Sequence, residues 1–492
     1  MTILSLLPPI IAIVLAIRTK QVFISLLFGI WLGWVILHGG NLLTGSFATV
    51  QALVDVFQDE GNTRTVMFCA LVGALIVFIQ KSGGVEGFIN VVNRWMQKRE
   101  ANGKGNSRVA VQLLAWLTGI LIFVESSISV LTVGALYRPI FDKMGIPREK
   151  LAYIADSSSA PACILMPFNA WGAFIMGLLL TQGFENPLST LLQSMMYNFY
   201  PILALLLVLA LILTQKDFGA MKKAEIRAKE EGKLLADDAV PMMSSDITLL
   251  QTKANVTPKA FNMIIPIVTM VVMMPILLIY TGWETATAAI PNASGFETAL
   301  LAIGKGSGST AVLMAVITSI LLSMALYKVQ GIFGIREMVD LSLEGIAALL
   351  PLALLMVLAF AIGAVCKELQ TGMYIATVAK SWLSPAFVPA IVFVVSSIIA
   401  FSTGTSWGTF AIMISIAMPM AETMGVNVHI ALAAALGGGI FGDHCSPISD
   451  TTILSSMASA SDHIDHVRTQ MPYALAMGGV SLVLYLVLGM VG

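Results

Sequence analysis

Two stretches of an otherwise apolar chain gather the residue types that hold a small cation. One reads Gly442-Asp443-His444-Cys445-Ser446-Pro447-Ile448-Ser449-Asp450-Thr451-Thr452, and the other runs through Asp156, Ser157, Pro161, Pro167 and Asn169. Carboxylates beside hydroxyls and carbonyls form hard-oxygen coordination, the kind that suits an ion such as sodium. The metal expected here is Na+, centred on Asp443 and Asp450, with Ser446, Ser449, Thr451, Thr452 and Ser157 as neutral ligands. The same acids can take a proton instead, because a carboxyl group removed from water favours its neutral form. One site that trades a cation for a proton is the minimal chemistry of an exchanger. A membrane potential adds about 2.3 kcal/mol per net charge per 100 mV, so stoichiometry decides whether voltage drives it.

Such residues need a scaffold that keeps them from lipid. The chain has 492 residues, 57% of them hydrophobic and 11% charged, with a mean hydropathy of +0.87. Soluble domains carry about 25% charged residues. The fold class expected is an all-α polytopic membrane protein in the cell's inner (cytoplasmic) membrane, with the lipid bilayer as its main partner. A net charge of -1 and basic residues confined to connecting segments give no signal for nucleic acid. The N-terminus lacks a basic start and a small-residue cleavage site, and reads as a retained first helix. Cys69, Cys163, Cys366 and Cys445 lie in or beside apolar runs without metal-ligand spacing, which suits structural thiols. No cofactor is expected beyond the transported Na+ and H+.

With about 20 residues per span, the apolar runs predict about ten transmembrane helices. Arg94, Lys98 and Arg99 mark an interfacial stretch, and a second one is expected near Tyr374 to Trp382. Between the basic clusters before Val109 and after Leu136, a full crossing would put one cluster outside. The positive-inside rule favours a re-entrant hairpin over about 109–136, with its tip at Glu125-Ser126-Ser127. A broken helix follows over about 151–180, and a mixed-charge linker over 215–260 reads as a solvated joint with room for a short helix. The pattern then repeats, with a hairpin over about 387–420 around Thr403, Thr405 and Ser406 and a broken helix over about 430–460. Pro139, Met144, Gly145 and Pro167 recur 280 residues later as Pro419, Met424, Gly425 and Pro447. Five crossings and one hairpin in residues 1–214 start the second half, 261–492, from the opposite side, so the repeat is expected to be inverted. That arrangement presents a midplane site alternately to each face.

Each polar residue also has a plainer reading. Asp156 lies six residues after Lys150 and suits a helix cap at the cytoplasmic edge. Glu125, Ser126 and Ser127 sit at a hairpin tip, where Glu125 could pair with Arg138 or Lys104. Asn169, Thr403 and Ser406 also suit capping or helix packing. His444 titrates near neutrality or serves as a hydrogen-bonded structural histidine. His463 and His466, beside Asp462 and Asp465, read as a solvated cytoplasmic loop rather than a metal site. Gly304-Lys305-Gly306-Ser307 lacks phosphate-loop spacing and reads as a flexible outside loop.

The pair Gly404-Thr405-Ser406-Trp407-Gly408-Thr409 and Gly442-Asp443 through Thr452 resembles the signature of NhaC-type sodium/proton antiporters. It departs at His444-Cys445, where members more often carry Lys-Met. The likeness covers most of the chain and implies ion-coupled exchange. It also implies kinship with dimeric, elevator-like carriers, so a homodimer is the expected assembly. Related members exchange organic acids or amino acids, which makes a small organic solute the alternative cargo. Gly404-Thr405-Ser406-Trp407-Gly408 also matches a serine-nucleophile pattern, with His444 or His429 as base. That enzyme reading does not account for acids in both halves.

Overall fold

A computed structural model describes residues 3–19, 21–101, 108–123, 126–241, 252–289, 294–371, 374 and 384–491. The described residues are helical throughout, apart from turns and one isolated bridge between Pro241 and Asp462. Eight helices are long and apolar enough to cross a membrane. Shorter apolar helices are Ile3–Leu15, Phe23–Leu37, Arg108–Leu121 and Ala170–Thr181. At 12 to 15 residues they are shorter than the roughly 20 that a single span takes. Glu125, Lys104 and most of the stretch from Tyr374 to Trp382 lie outside the described residues.

The helices nearest the acids recur at matching positions. Helix Arg108–Leu121 leads to Ser126–Lys143, and Val388–Thr403 leads to Ser406–Met424. Helix Arg148–Ile164 breaks before Ala170–Thr181, and Val428–Cys445 breaks before Asp450–Ser459. Each break contains a proline, Pro167 or Pro447, which lacks the N–H of the helical ladder and pushes the residue before it out of helical geometry. Ser446 accordingly has extended backbone angles, φ -79° and ψ 126°.

The first break differs from expectation. Asp156 through Pro161 stay inside one unbroken helix, and the interruption lies at 165–169. The hydroxyls explain part of this. Ser158 Oγ donates to Ile154 O at 2.6 Å and Ser159 Oγ to Asp156 O at 2.9 Å, folding their polarity back onto the helix. Asp156 is therefore neither at a break nor a cap at the membrane edge; it has no exposed surface.

Short helices after each break pack against the other half. Trp171 lies 4.8 Å, centroid to centroid, from Trp407 of the second half's hairpin. Gly134 of the first half's hairpin lies so close to Ala458 that a Cβ there would sit 2.4 Å from the alanine methyl. The polar centre is thus built from both halves.

The linker departs from a solvated joint. Residues Gly219–Glu230 do form a short helix, but Glu225 is buried and bonds Arg108 and Lys150. Asp217 lies 2.6 Å from Lys150, and Arg227 lies 2.8 Å from Glu149. Mixed charge here serves as docking contacts to the helix ends that carry Arg108, Glu149 and Lys150. The Gly304 segment is also not a loose loop. Lys305 ends helix Gly295–Lys305, and a Cβ on Gly306 would meet Leu278 O at 2.3 Å.

Candidate ion-binding site

Asp443 occupies the last turn of helix Val428–Cys445 and is buried. Its Oδ2 accepts a 2.7 Å hydrogen bond from Ser406 Oγ, which opens helix Ser406–Met424 and lies 3.3 Å from Gly439 O. Its Oδ1 has no protein hydrogen-bond partner. Glycine permits this crowding. A Cβ on Gly438 would sit 2.3 Å from Phe393 O, and one on Gly442 2.1 Å from Ser397 O, so the helix slides against Val388–Thr403 at backbone distance. Gly442→Val is accordingly expected to abolish folded protein, read as loss of the monodisperse peak in fluorescence-detected size-exclusion chromatography of a tagged chain.

A hairpin tip is seated against each break. In the second half Ser446 Oγ donates to Phe401 O at 2.7 Å, and Gly404, at φ +66°, lies where a Cβ would meet Ile448 O at 2.5 Å. In the first half Asn169 Nδ2 donates to Phe123 O at 2.9 Å and to Cys163 O at 2.8 Å, while its Oδ1 accepts from Gly172 N. Asn169 thus spends its amide on clamping the break, not on lining an ion site. Asn169→Ala removes a helix cap worth about 1 kcal/mol and strands two buried carbonyls. A lowered unfolding midpoint in detergent, with transport reduced less than stability, is the expected result.

The remaining expected ligands divide in the same way. Ser449 caps helix Asp450–Ser459 through Thr452 N, and Thr403 Oγ1 bonds Ile399 O. Thr405 is the residue preceding helix Ser406–Met424, and Ser126 is buried at the first position of its own helix. Ser127 is half-buried beside it. Thr451 is buried with its Oγ1 3.2 Å from Ser449 Oγ, and its N–H donates to Asp450 Oδ1. Asp450 is exposed, so it stands at the margin of the buried centre rather than in it.

Asp156 is surrounded differently. Its Oδ2 accepts from Gln470 Nε2 at 2.7 Å and from Thr452 Oγ1 at 3.1 Å. His466 Nε2 is 3.6 Å away and His444 Nε2 3.7 Å away. His444 is held from both sides, Nδ1 to Tyr200 OH at 2.7 Å and Nε2 to Ser157 Oγ at 3.0 Å. His466 is fully buried in helix His463–Val491, and the solvated-loop reading of this segment is corrected. The charged run from Asp462 to Arg468 conceals the inward face of a helix start. His463 likewise bonds Ser456 Oγ and Pro447 O.

Gln470 and Tyr200 were not legible as site residues. The sequence signal was an uncharged amide at the start of an apolar run and a tyrosine preceding Pro201. Ser406 bonds a carboxylate and a carbonyl and no histidine, so the nucleophile pattern lacks its base. A polar cavity of about 440 Å³, lined by Asp59, Arg64, Glu185, Lys305 and Ser307, opens at another place from Asp443 and Asp156.

The Na+/H+ antiporter family model matches residues 162–490. A Haemophilus influenzae protein of uncharacterised function is 31% identical over 99% of this chain and 90% of its own length. The arginine/ornithine antiporter ArcD of Halobacterium salinarum is 35% identical over 22% of each chain. The malate-2H+/Na+-lactate antiporter of Bacillus subtilis is 28% identical over 22% of this chain and 27% of its own. The crystal structure of the Alcanivorax borkumensis YdaH transporter superposes with a TM-score of 0.56 at 16% identity, covering 90% of this chain and 88% of that one. The family and the relatives with a named activity are antiporters or transporters, which are not enzymes.

Proposed function

The chain belongs to the Na+/H+ antiporter family, and we propose that it exchanges Na+ for H+ across the cell's inner membrane by alternating access, with Asp443 as the shared ligand. The observation that carries this reading is the oxygen-only surrounding of a buried carboxylate: Asp443, Ser406 Oγ and Gly439 O converge, and Oδ1 has no protein partner. Hard cations take oxygen ligands, and a buried carboxylate can be neutralised by a cation or a proton but not by both. Helix ends at the neighbouring break and hairpin tip add carbonyl oxygens to the same region. Asp450 extends the negative field toward solvent, where it attracts the cation rather than enclosing it.

The two halves, 1–214 and 261–492, act as inverted repeats joined by the linker 215–260. The helix pairs recurring 280 residues apart support this. So do their ends: Arg108 bonds Met144 O and Gly145 O beside the linker, whereas His429, just after the Met424 end, approaches Thr190 O. Lys143→Cys and Glu422→Cys, both exposed, are expected to react with an impermeant maleimide from opposite faces of the membrane. Labelling from one face would refute the inversion. By resemblance, a homodimer with elevator-like movement is the assembly that fits; crosslinking in native membranes tests it.

A second reading is ion-coupled exchange of a small carboxylate or amino acid. It is favoured by relatives named for arginine/ornithine and malate/lactate exchange. Flux in proteoliposomes under imposed Na+ and pH gradients, with such solutes added in turn, separates the two. Exchange that runs without any organic solute supports Na+/H+ antiport; a strict solute requirement supports the second reading.

A further inference from the structure

The segment Gly304-Lys305-Gly306-Ser307-Gly308-Ser309-Thr310 is not used by the exchanging site, yet it opens helix Gly308–Val329 onto the polar cavity of about 440 Å³. Small-molecule sites occupy about 300–1,000 Å³. Helix Glu60–Lys81 begins at the same cavity, and a Cβ on Gly61 would lie 3.8 Å from Ser309 Oγ, so the two N-termini abut. Both helices then run to the linker, where Lys253 N donates to Lys81 O and Lys259 Nζ to Gln330 Oε1. As parallel neighbours they aim the positive ends of two helix dipoles at one place. Asp59 Oδ1 caps Asn62 N at 2.7 Å, and Ser307 Oγ caps Thr310 N at 3.4 Å. The amides of Gly61, Gly308 and Ser309 precede those capped positions and have no intrahelical partner.

The side chains at this cavity carry both signs. Lys305 is exposed without a partner among the described residues, and Arg64 pairs with Glu60 through one nitrogen. Asp59 and Glu185 stand at its exposed margin. Asn62 is 9% exposed and lines the cavity, yet its Oδ1 is buried without a protein partner. A buried acceptor with no donor is costly, so this oxygen calls for an N–H from the molecule that fills the cavity. An anion alone answers the amides and Lys305, but it brings that oxygen no donor and adds negative charge beside Asp59 and Glu185. A cation alone meets Lys305 and Arg64. We propose that the cavity binds a free amino acid as its zwitterion, the carboxylate toward the glycine-headed helix ends and Lys305, the ammonium toward Asn62 Oδ1 and Glu185. Met176, Leu180 and Pro187 also line the cavity and suit an apolar side chain. None of these residues hydrogen-bonds Asp443 or Asp156, so the site is additional to the exchanging one.

The test uses the full-length protein in nanodiscs and reads binding of tritiated L-leucine by scintillation proximity, with no Na+ or pH gradient imposed. Saturable binding is expected, displaced by unlabelled L-leucine. Isocaproate, which lacks the amine, and isoamylamine, which lacks the carboxylate, should each displace it about tenfold less effectively or worse. Lys305→Gln removes a charge at an exposed helix end, and Asn62→Leu keeps similar volume but offers no acceptor. Each should weaken leucine binding about tenfold or more in protein that elutes normally. No saturable binding to the wild-type protein, displacement by isocaproate as strong as by leucine, or binding unchanged in either variant would overturn the proposal. Equal displacement by isocaproate would mark a plain anion site. Because no gradient is imposed, these outcomes are independent of whether the protein exchanges Na+ for H+.

Discussion

Asp443→Asn is expected to abolish Na+-dependent proton movement in everted vesicles, followed by dequenching of a pH-sensitive dye on Na+ addition. The amide is nearly the shape of the carboxylate and can still face Ser406 Oγ, so packing is preserved. What it loses is the negative charge that Na+ or H+ neutralises. Removing one partner of a buried, compensated charge costs about 3–5 kcal/mol, at least a hundredfold in Na+ affinity. Asp450→Asn supplies the internal contrast. Asp450 is exposed at the first position of its helix, so its replacement should weaken Na+ dependence without removing it. Full exchange in Asp443→Asn would remove this carboxylate from the mechanism and leave the oxygen cluster as packing.

Much of the scaffold was legible because it is written in composition and proline placement. A bilayer forces every backbone group to be paired internally, so an apolar chain of this kind folds as helices. The recurrence of Pro167 as Pro447 marked both breaks, since proline interrupts the ladder wherever it falls after a helix end. Pro161 shows the limit of that signal. It stays within helix Arg148–Ile164, where packed neighbours on all sides keep the helix continuous, and Asp156 is moved from a break to the middle of a buried face.

The site was legible in its acids and not in their partners. Asp443 and Ser406 belong to the two motifs that drew notice, but their contact joins residues 37 apart through helix packing set by glycines. Asp156 and Gln470 are 314 residues apart, and no local pattern links them. His466 was obscured by its charged neighbours. Helical periodicity sends alternate faces of one short run to water and to the core, and composition averages over both. The same averaging hid the linker, where Glu225 turns inward while the exposed Glu230 and Glu231 on the same segment do not.

Lys150→Met should be among the most destabilising single changes at the linker-bound ends of the helices, read as a lowered unfolding temperature and early aggregation in detergent. Lys150 is 1% exposed and lies 2.6 Å from Asp217 and 3.3 Å from Glu225. Methionine fills similar volume but leaves two buried carboxylates short of a cation, at a cost of about 3–5 kcal/mol. Glu225 retains Arg108, and Asp217 retains the Tyr473 hydroxyl at 2.8 Å, so Asp217 is the more exposed to the loss. The double variant Lys150→Met with Asp217→Asn is therefore expected to recover part of the stability. The position of this cluster couples it to transport. Lys150 lies on the helix that carries Asp156, and Tyr473 lies one turn beyond Gln470 on the helix that carries His466, so the linker ties together the two helices that hold the Asp156 cluster. Loosening that tie should lower exchange even at temperatures where the protein remains folded. Unchanged exchange in a Lys150→Met protein with the expected thermal loss would confine the cluster to a structural role.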